Sequence, residues 1–371
     1  MRITIVQGAF LPVPPLLGGA VEKVWFSLGK EFARQGHTVT HVSRAFKDLP
    51  TSEIIEGVQH RRVSGFPSPA STGKRLVLDL WYALRAASKL PAADILVTNT
   101  FWLPALPLRR SRGIPYAHVA RYPKGQLKLY RRARLQTVSE PIRQAILNEC
   151  PAARDRVRVI AYPLSEHYLR PAVSPWSKNL LYTGRVHPEK GVHLLIKAFA
   201  ALPADQRSGW KLQIVGPWEI AYGGGGESYL EELRGAAGPI STQVEFVGRV
   251  FDEARLISYY ENAPIFIYPS LAERGETFGL AALEAMAAGC APLVSDLACF
   301  RDFIRPENNG RIFNHRVPTP EAALASSLAE MMNSREKTQG LRAAAWESAR
   351  NYTLPKIAGE FLSDFAQLTK R

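Results

Sequence analysis

Hydrophobic positions along the chain follow two alternating periods. Short apolar runs, such as Ile265 to Tyr268 and Ala291 to Ser295, have the length of buried strands. Between such runs, apolar residues recur every three or four positions, as they do from about Ala20 to Arg34. That spacing predicts amphipathic helices, because residues three and four apart share one helix face. The alternation of strands and helices predicts an α/β protein with doubly wound parallel sheets.

The alternation falls into two series with an interruption between them. The predicted strands lie at residues 2–7, 38–43, 96–99, 116–120 and 135–138 in the first series, and at 179–183, 211–215, 244–247, 265–268 and 291–295 in the second. Residues 161–178 lack either period and hold Pro163, Pro171 and Pro175, which indicates an interdomain linker. We therefore place one Rossmann-like domain at 1–165 and a second at 166–355. A final helix at 356–371 is expected to cross back to the first domain.

Length and composition fit a two-domain globular protein. The chain has 371 residues, 46% of them hydrophobic, with no apolar run of transmembrane length and no signal-peptide pattern, so we expect a cytoplasmic protein. Cys150, Cys290 and Cys299 lack paired metal-ligand spacing and are expected in the core. Since no D-x-D motif or His/Cys cluster is present, we expect no metal site.

Positive charge is concentrated in the first half. Residues 1–165 hold 25 Lys and Arg against 10 Asp and Glu, whereas the whole chain has 47 against 33. The basic residues cluster at 109–112 and 128–134. Such clusters attract an anionic partner, and a membrane surface, a lipid diphosphate and nucleic acid are all candidates. The alternative is that these basic residues bind no partner and only keep the protein soluble, because such a surface would have the same composition.

Two carboxylates frame the most informative stretch, from Pro269 to Gly289. Glu276 is predicted on the loop before a helix, and Glu284, eight residues later, on the second turn of that helix. Between them Gly279 allows a ligand to approach the helix N-terminus, where free amides and the helix dipole favour an anion such as phosphate. Carboxylates on both sides of an anion site suit a ligand with hydroxyl groups flanking a phosphate, such as a sugar nucleotide.

A second motif follows the first strand of the second domain. Gly184-Arg185-Val-His-Pro-Glu-Lys190-Gly191 places two cations on one loop. Fixed cations can stabilise the negative charge that develops on a leaving diphosphate without a metal. Arginine grips two phosphate oxygens, while lysine acts as a point charge.

These motifs carry a resemblance to a known family. Glu276-Thr-Phe-Gly-Leu-Ala-Ala-Leu-Glu284 resembles the E-x7-E signature of retaining GT-B glycosyltransferases of family 4, and the Arg185/Lys190 loop resembles the family's G-R-x-x-x-x-K-G motif. The resemblance implies the GT-B fold, in which two Rossmann-like domains face each other across a cleft. It implies that Glu276 binds donor-sugar hydroxyls, Glu284 binds the ribose, and Arg185 and Lys190 hold the diphosphate during metal-independent transfer with retention.

The resemblance extends to the first domain. Gly18 and Gly19, followed by Glu22, match the family's glycine-rich opening, although a tight turn would use the same glycines. His118 matches a histidine that faces the donor sugar and acceptor, so it joins Arg185, Lys190 and Glu276 as a candidate catalytic residue; a core histidine is the alternative. Further donor-binding positions implied by the resemblance are Gly184, Gly216, Gly248, Arg249, Val250, Thr277, Phe278, Gly279 and Leu280.

Two loops depart from the family pattern. The segment before Glu276 is longer than in many relatives and adds Glu273, which competes with Glu276 for the sugar-binding assignment. We assign Glu276, because Thr277-Phe278-Gly279 follows it as the family pattern requires. The loop at Gly223 to Gly226 is expected to be a flexible connection, with a mobile lid as the alternative.

The resemblance, together with the basic first half, favours a glycosyltransferase that moves a hexose from a nucleotide-sugar to a saccharide or lipid-linked acceptor in cell-envelope glycan synthesis; retention is implied by the resemblance alone. We expect a UDP-sugar donor before a GDP-sugar, no separate cofactor, and peripheral attachment at the inner face of the plasma membrane. One alternative is a GT-B-fold nucleotide-sugar epimerase. Another is a basic protein that binds nucleic acid or a membrane surface; nucleic acid is not expected, since no helix-turn-helix or RNA-binding aromatic motif is evident.

Overall fold

The computed structural model describes residues 1–69, 71–170 and 173–370, so Pro171 of the predicted linker lies outside the described residues. The chain divides into two compact units. The first comprises Met1–Pro163 and Leu354–Arg371, and the second comprises Leu164–Thr353. The sequence placed the corresponding boundaries at 165 and 355, a difference of two residues or fewer, and the last helix is part of the first unit.

The first unit is built on a sheet that, in the described part of the chain, has the strand order β3-β4-β2-β1-β5-β6-β7-β8. All neighbouring strands are parallel except the β3–β4 hairpin. The strands are β1 Arg2–Val6, β2 Thr38–Arg44, β3 Ser52–Ile55, β4 Val58–Val63, β5 Ile95–Thr98, β6 Ile114–Val119, β7 Arg134–Thr137 and β8 Val157–Val159.

Sequence patterns found β1, β2, β5, β6 and β7 of this sheet and missed β3, β4 and β8. Inner strands are apolar on both faces, as in β5, where all four residues are buried. The residues of β3 are all partly or fully exposed, and the middle of β4 reads Gln59-His60-Arg61-Arg62. Strands with this many polar residues give no continuous apolar signal, whether they lie at the edge of the sheet, as β3 does, or next to it, as β4 does.

Helices cover the first sheet. They are α1 Ala20–Arg34, α2 Thr72–Lys89 and α3 Glu140–Glu149, together with a C-terminal helix, Leu354–Thr369. The C-terminal helix packs on α1 through Phe365, whose ring centroid lies 5.8 Å from that of Phe32. Its buried Asp364 accepts a hydrogen bond from the Tyr116 hydroxyl at 2.8 Å and pairs with Arg134 at 3.0 Å. Apolar packing and a buried polar contact therefore anchor the end of the chain to this unit.

The second unit has a sheet with the order β11-β10-β9-β12-β13-β14 in the described residues, and all its neighbouring strands are parallel. Its strands are β9 Asn179–Thr183, β10 Lys211–Val215, β11 Val244–Gly248, β12 Ile265–Tyr268, β13 Ala291–Ser295 and β14 Arg311–Phe313. Its helices are α4 Val192–Ala201, α5 Ala204–Arg207, α6 Gly226–Ala237, α7 Glu253–Glu261, α8 Leu280–Ala287, α9 Pro320–Asn333 and α10 Arg335–Ala349.

The cysteines are free in this structure. Cys290 and Cys299 are buried, as expected of core residues, whereas Cys150 is only half-buried. Burial raises the pKa of the Cys290 thiol to about 12, so this thiol stays protonated and unreactive at neutral pH. None of the helices within the described residues combines the length and apolar character needed to span a bilayer.

Candidate functional site

The predicted glycines of the second unit lie side by side at one edge of its sheet. Because β9, β10 and β11 are parallel, the loops that follow them leave from the same carboxyl edge. The amide of Gly184 donates to the Val215 carbonyl at 3.0 Å, and the amide of Gly216 donates to the Gly248 carbonyl at 2.9 Å. The backbone ladder therefore continues past the strands and places Gly184, Gly216 and Gly248 in one row.

Lys190 and Glu276 form an ion pair beside this row. The Nζ of Lys190 lies 2.7 Å from Oε2 of Glu276, and the two side chains are 8% and 12% exposed. They are 86 positions apart in the chain. Pairing compensates each largely buried charge, which would otherwise carry a large desolvation cost.

Two backbone contacts bring the Lys190 and Glu276 loops together. The amide of Leu271 donates to the carbonyl of Glu189 at 2.8 Å. Gly191 has φ +68°, and a Cβ there would overlap the carbonyl oxygen of Pro269. Only glycine allows this close approach, which explains the glycine at the end of the G-R-x-x-x-x-K-G motif.

Tyr268 is part of the site although sequence reasoning did not select it. Its hydroxyl donates to Glu276 Oε2 at 3.0 Å, and its ring stacks on Tyr182 with a centroid distance of 5.8 Å and an interplanar angle of 11°. Burial, followed by the charge of Glu276, raises the pKa of Tyr268 well above its usual value, so it remains a donor. Its position at the last residue of β12, directly before the loop, was the available signal.

Arg185 is held in an ion pair on its own loop. Its guanidinium lies 2.6 Å from Glu189 Oε1 and donates to the Gly223 carbonyl at 2.6 Å, with 41% of the side chain exposed. The Gly223 to Gly226 loop is tied down, since the Gly225 amide donates to Val186 at 2.8 Å and Gly226 begins α6. The expected flexible connection is therefore a hydrogen-bonded turn against the Arg185 segment.

Gly279 ends the loop of Glu276 and sets the start of α8. It has φ +89°, and a Cβ there would overlap the Phe300 ring. The helix therefore begins at Leu280 and not near Phe278. In general, the first amides of a helix lack acceptors within it, and together with the helix dipole they favour an anion at its N-terminus. Phe278 is buried and packs on Phe303 at 5.3 Å, so its side chain is not exposed to a ligand. Thr277 and Leu280 are half-buried.

Glu284 lies on α8 within a short chain of polar contacts. The Tyr260 hydroxyl donates to Glu284 Oε2 at 3.3 Å and also contacts the Thr183 hydroxyl at 2.5 Å. Thr183 is the last residue of β9, directly before the Arg185 loop. Burial raises the pKa of Tyr260 well above its usual value, so its hydroxyl stays protonated. Glu284 and the Arg185 loop are thus linked through Tyr260, which sequence reasoning also missed.

Glu273, the competing carboxylate, contacts other residues. It accepts hydrogen bonds from Arg316 at 2.8 Å and from His315 at 3.0 Å, and its side chain is 52% exposed. Glu276 has the Lys190 partner instead. The two acids of this loop therefore have different neighbours, and Glu276 is the one joined to the basic motif.

Arg249 lies between two exposed aromatic rings at the end of the glycine row. Its guanidinium carbon is 3.7 Å from the Tyr222 ring centroid and 3.8 Å from that of Phe251. Planar guanidinium and aromatic groups stack favourably in this way. Val250, the other predicted position here, is half-buried.

In the first unit, His118 lies in a hydrogen-bond network that sets its tautomer. The amide NH₂ of Gln136 donates to the carbonyls of Thr137 and Ile160, so the Gln136 oxygen faces His118 Nδ1 at 2.5 Å. Nδ1 is therefore protonated, and Nε2 lies 3.3 Å from the Tyr162 hydroxyl. Burial lowers the pKa of His118 to about 4, although the Gln136 hydrogen bond opposes this shift. The imidazole is neutral at pH 7.

Gly18 and Gly19 form the turn before α1. Their φ values are +79° and +96°, and the helix starts at Ala20. Glu22 in the first turn is 9% exposed, and a Cβ on Gly19 would overlap its carboxylate. Burial raises the pKa of Glu22, while Arg121 is among the groups that oppose the shift. Both glycines therefore provide the positive φ of this turn, and Gly19 in addition leaves room for the Glu22 carboxylate.

The chain matches two known sequence profiles that together span most of its length. The profile of glycosyl transferases group 1 matches residues 174–348, and that of glycosyltransferase family 4 matches residues 18–163. The chain is a glycosyltransferase of the group 1 and family 4 type. In the described residues, no three His, Cys, Asp or Glu side chains are grouped as ligands for a metal ion.

Known relatives and solved structures agree with this family. A phosphatidyl-myo-inositol mannosyltransferase of Mycobacterium leprae is 31% identical over 187 residues, which are 50% of this chain and 45% of that protein. The match thus spans about half the length of that relative. Sucrose-phosphate synthase from Thermosynechococcus elongatus has a TM-score of 0.81 at 19% identity, with 99% of both chains covered. HepE of Anabaena, solved with UDP and glucose, has a TM-score of 0.73 at 16% identity, covering 99% and 100%. The fold of this family member is GT-B.

Proposed function

We propose that the protein transfers a hexose from a nucleoside diphosphate sugar to a hydroxyl acceptor with retention of anomeric configuration. The observation that carries this proposal is the ion pair of Lys190 with Glu276, next to the N-terminus of α8. A cation and helix amides can bind a diphosphate, while a carboxylate held against the same lysine can accept hydrogen bonds from sugar hydroxyls.

The proposed reaction breaks the bond between the anomeric carbon and the diphosphate oxygen. The bonding electron pair leaves with the diphosphate, whose growing charge Lys190, Arg185 and the α8 amides stabilise. The acceptor oxygen bonds to the anomeric carbon on the same face, and its proton passes to a phosphate oxygen of the departing nucleotide. Glu276 orients the sugar and Glu284 holds the ribose. The chemistry uses no metal and no separate cofactor.

The neutral His118 suits the acceptor side of this reaction. A histidine with a pKa of about 4 does not carry charge at neutral pH, so its Nε2 can accept a hydrogen bond without repelling a developing oxocarbenium-like sugar. We assign His118 to contacts with the donor sugar and the acceptor. Gly18 and Gly19, which belong to the same unit, are assigned to donor binding.

The proposed donor is a UDP-sugar, with a GDP-sugar as the second choice; HepE, which shares the fold, has been solved with UDP and glucose. The proposed acceptor is a lipid-linked or polysaccharide precursor at a membrane surface. The matched mannosyltransferase acts on a phosphatidylinositol according to its name, and the first half of this chain is strongly basic.

The test is calorimetric titration of the protein with UDP, GDP, ADP and NAD. We expect one nucleoside diphosphate to bind, and binding to fall below detection in Arg185→Ala/Lys190→Ala. Lys197→Ala, a cation exposed on the neighbouring helix α4, is the matched control and should bind as the wild type does. Failure of all four ligands to bind, or unchanged binding in the double variant, would overturn the proposal. Release of free nucleotide that depends on added acceptor separates transfer from epimerisation.

A further inference from the structure

Helix α2 exposes three large apolar side chains, while Leu76, Leu78 and Leu80 are half-buried. Val77, Trp81 and Leu84 are 56%, 57% and 46% exposed, and their spacing places them on one face of the helix. The opposite face, which packs on the first sheet, holds the smaller or more polar residues Asp79, Tyr82, Ala83 and Ala86. The outer face is therefore the more apolar one, which is the reverse of an ordinary surface helix.

The exposed charges of this helix are all positive. Its exposed charged residues are Lys74, Arg75, Arg85 and Lys89. Its one acid, Asp79, is 6% exposed and accepts hydrogen bonds from the amides of Phe101 and Trp102 at 3.0 and 3.1 Å. No negative charge therefore offsets the cations beside the apolar stripe on the helix itself.

Hydrogen bonds connect the segments that carry the two basic clusters of the sequence to residues at the end and on the inner face of the same helix. Arg112 of the first cluster donates to the carbonyl of Leu90, the residue that caps the C-terminus of α2. Next to the second cluster, Tyr130 donates to the carbonyl of Phe101 at 2.5 Å, and the amide of Phe101 is bound by Asp79. The exposed members of these clusters are Arg109, Arg110, Lys128, Arg131 and Arg132.

We propose that the outer face of α2 is a membrane-contact surface that lies flat on an anionic bilayer. Trp81, Val77 and Leu84 enter the boundary between headgroups and acyl chains, where amphipathic side chains are favoured. The flanking cations pair with anionic headgroups. This assignment rests on the proposed function and deepens it, because it names the surface that brings the enzyme to a lipid-linked acceptor; the side chains that carry it belong to the first unit and not to the donor-site loops of the second.

The test is cosedimentation of the full chain with phosphatidylcholine vesicles, with or without phosphatidylglycerol. We expect binding only to the anionic vesicles, reduced by added salt. Trp81→Ser/Leu84→Ser should lower the partition coefficient about tenfold, because two interfacial anchors are lost. Lys74→Gln/Arg85→Gln should lower it by a similar factor. The matched control is Ile54→Ser, which removes a 71%-exposed apolar residue of β3 in the same unit and should change nothing.

Several outcomes would overturn the assignment. In the first, the wild type binds neutral vesicles as well as anionic ones, and in the second, the Trp81→Ser/Leu84→Ser variant binds as well as the wild type does. The third such outcome is a loss of binding in Ile54→Ser as large as that in the double variant. A wild-type dimer that this double variant converts to a monomer, measured by sedimentation equilibrium, would assign the face to a second copy of the chain. Nucleotide titration of the same variant keeps the two proposals apart. If the Trp81→Ser/Leu84→Ser variant loses vesicle binding but still binds nucleotide, the loss is due to the α2 face and not to damage at the donor site. If the wild type binds vesicles but no nucleotide, the membrane assignment stands and the proposed donor site is refuted.

Discussion

Replacement of Glu276 by glutamine tests the ion pair at the centre of the proposed site. The substitution leaves Lys190, only 8% exposed, without its anionic partner at 2.7 Å. Removing one member of a fully buried pair costs roughly 3–5 kcal/mol. Both side chains keep some contact with solvent, and glutamine retains hydrogen bonding to Tyr268, so we expect a loss of about 2 kcal/mol. For a unit of this size that loss corresponds to a decrease of about 4–8 °C in Tm.

Thermal unfolding followed by circular dichroism measures this loss. Glu273→Gln is the matched control, because Glu273 lies on the same loop and pairs with Arg316 at 2.8 Å but is 52% exposed. An exposed pair of this kind contributes roughly 0–1 kcal/mol, so the control should shift Tm by no more than about 4 °C and by less than Glu276→Gln does.

Nucleotide binding gives the second measurement on Glu276→Gln. Since Lys190 is released from its carboxylate, the nucleoside diphosphate should bind as tightly as in the wild type or more tightly, and it should restore part of the lost Tm. Transfer should fall by at least about 100-fold, because the sugar loses its orienting carboxylate. A Tm equal to that of the wild type, or nucleotide binding as weak as in Arg185→Ala/Lys190→Ala, would refute the reasoning.

Three further predictions concern Gly279 and Tyr268 of the second unit and His60 of the first. Gly279→Ala should lower stability by about 1–3 kcal/mol and abolish nucleotide binding, because φ +89° and the Phe300 ring exclude a Cβ; normal binding in a folded variant would contradict this. Tyr268→Phe should raise KM for the donor about fivefold with little change in kcat or Tm, because only the hydroxyl bond to Glu276 is lost, and an unchanged KM would argue against this positioning role. Burial lowers the pKa of His60 to about 4, so the unfolded chain binds a proton that the native state does not between pH 6.5 and 4, and stability falls as the pH decreases through that window. His60→Phe should therefore lose less stability than the wild type between pH 7 and pH 5, by roughly 2 kcal/mol in urea titrations, and an equal loss would show that His60 does not contribute.

Sequence patterns located the parts of the fold whose signals are local. The strands Asn179–Thr183, Lys211–Val215, Ile265–Tyr268 and Ala291–Ser295 were predicted with the bounds that the structure has, since they are short apolar runs between helices. Motif spacing likewise selected Lys190 and Glu276 before their contact was known. Both motifs follow parallel strands, whose carboxyl ends meet at one edge of a sheet.

Other features depend on residues far apart in the chain, and only the tertiary structure decided them. Tyr268 and Tyr260 joined the site because their hydroxyl groups reach Glu276 and Glu284, a relation that no periodic pattern encodes. The β3–β4 hairpin was missed because a sheet edge needs no continuous apolar run. The exposed stripe of α2 has the same periodicity as a core-facing stripe; which face is buried depends on how the helix packs against its sheet, and the sequence determines only that the helix has two different faces.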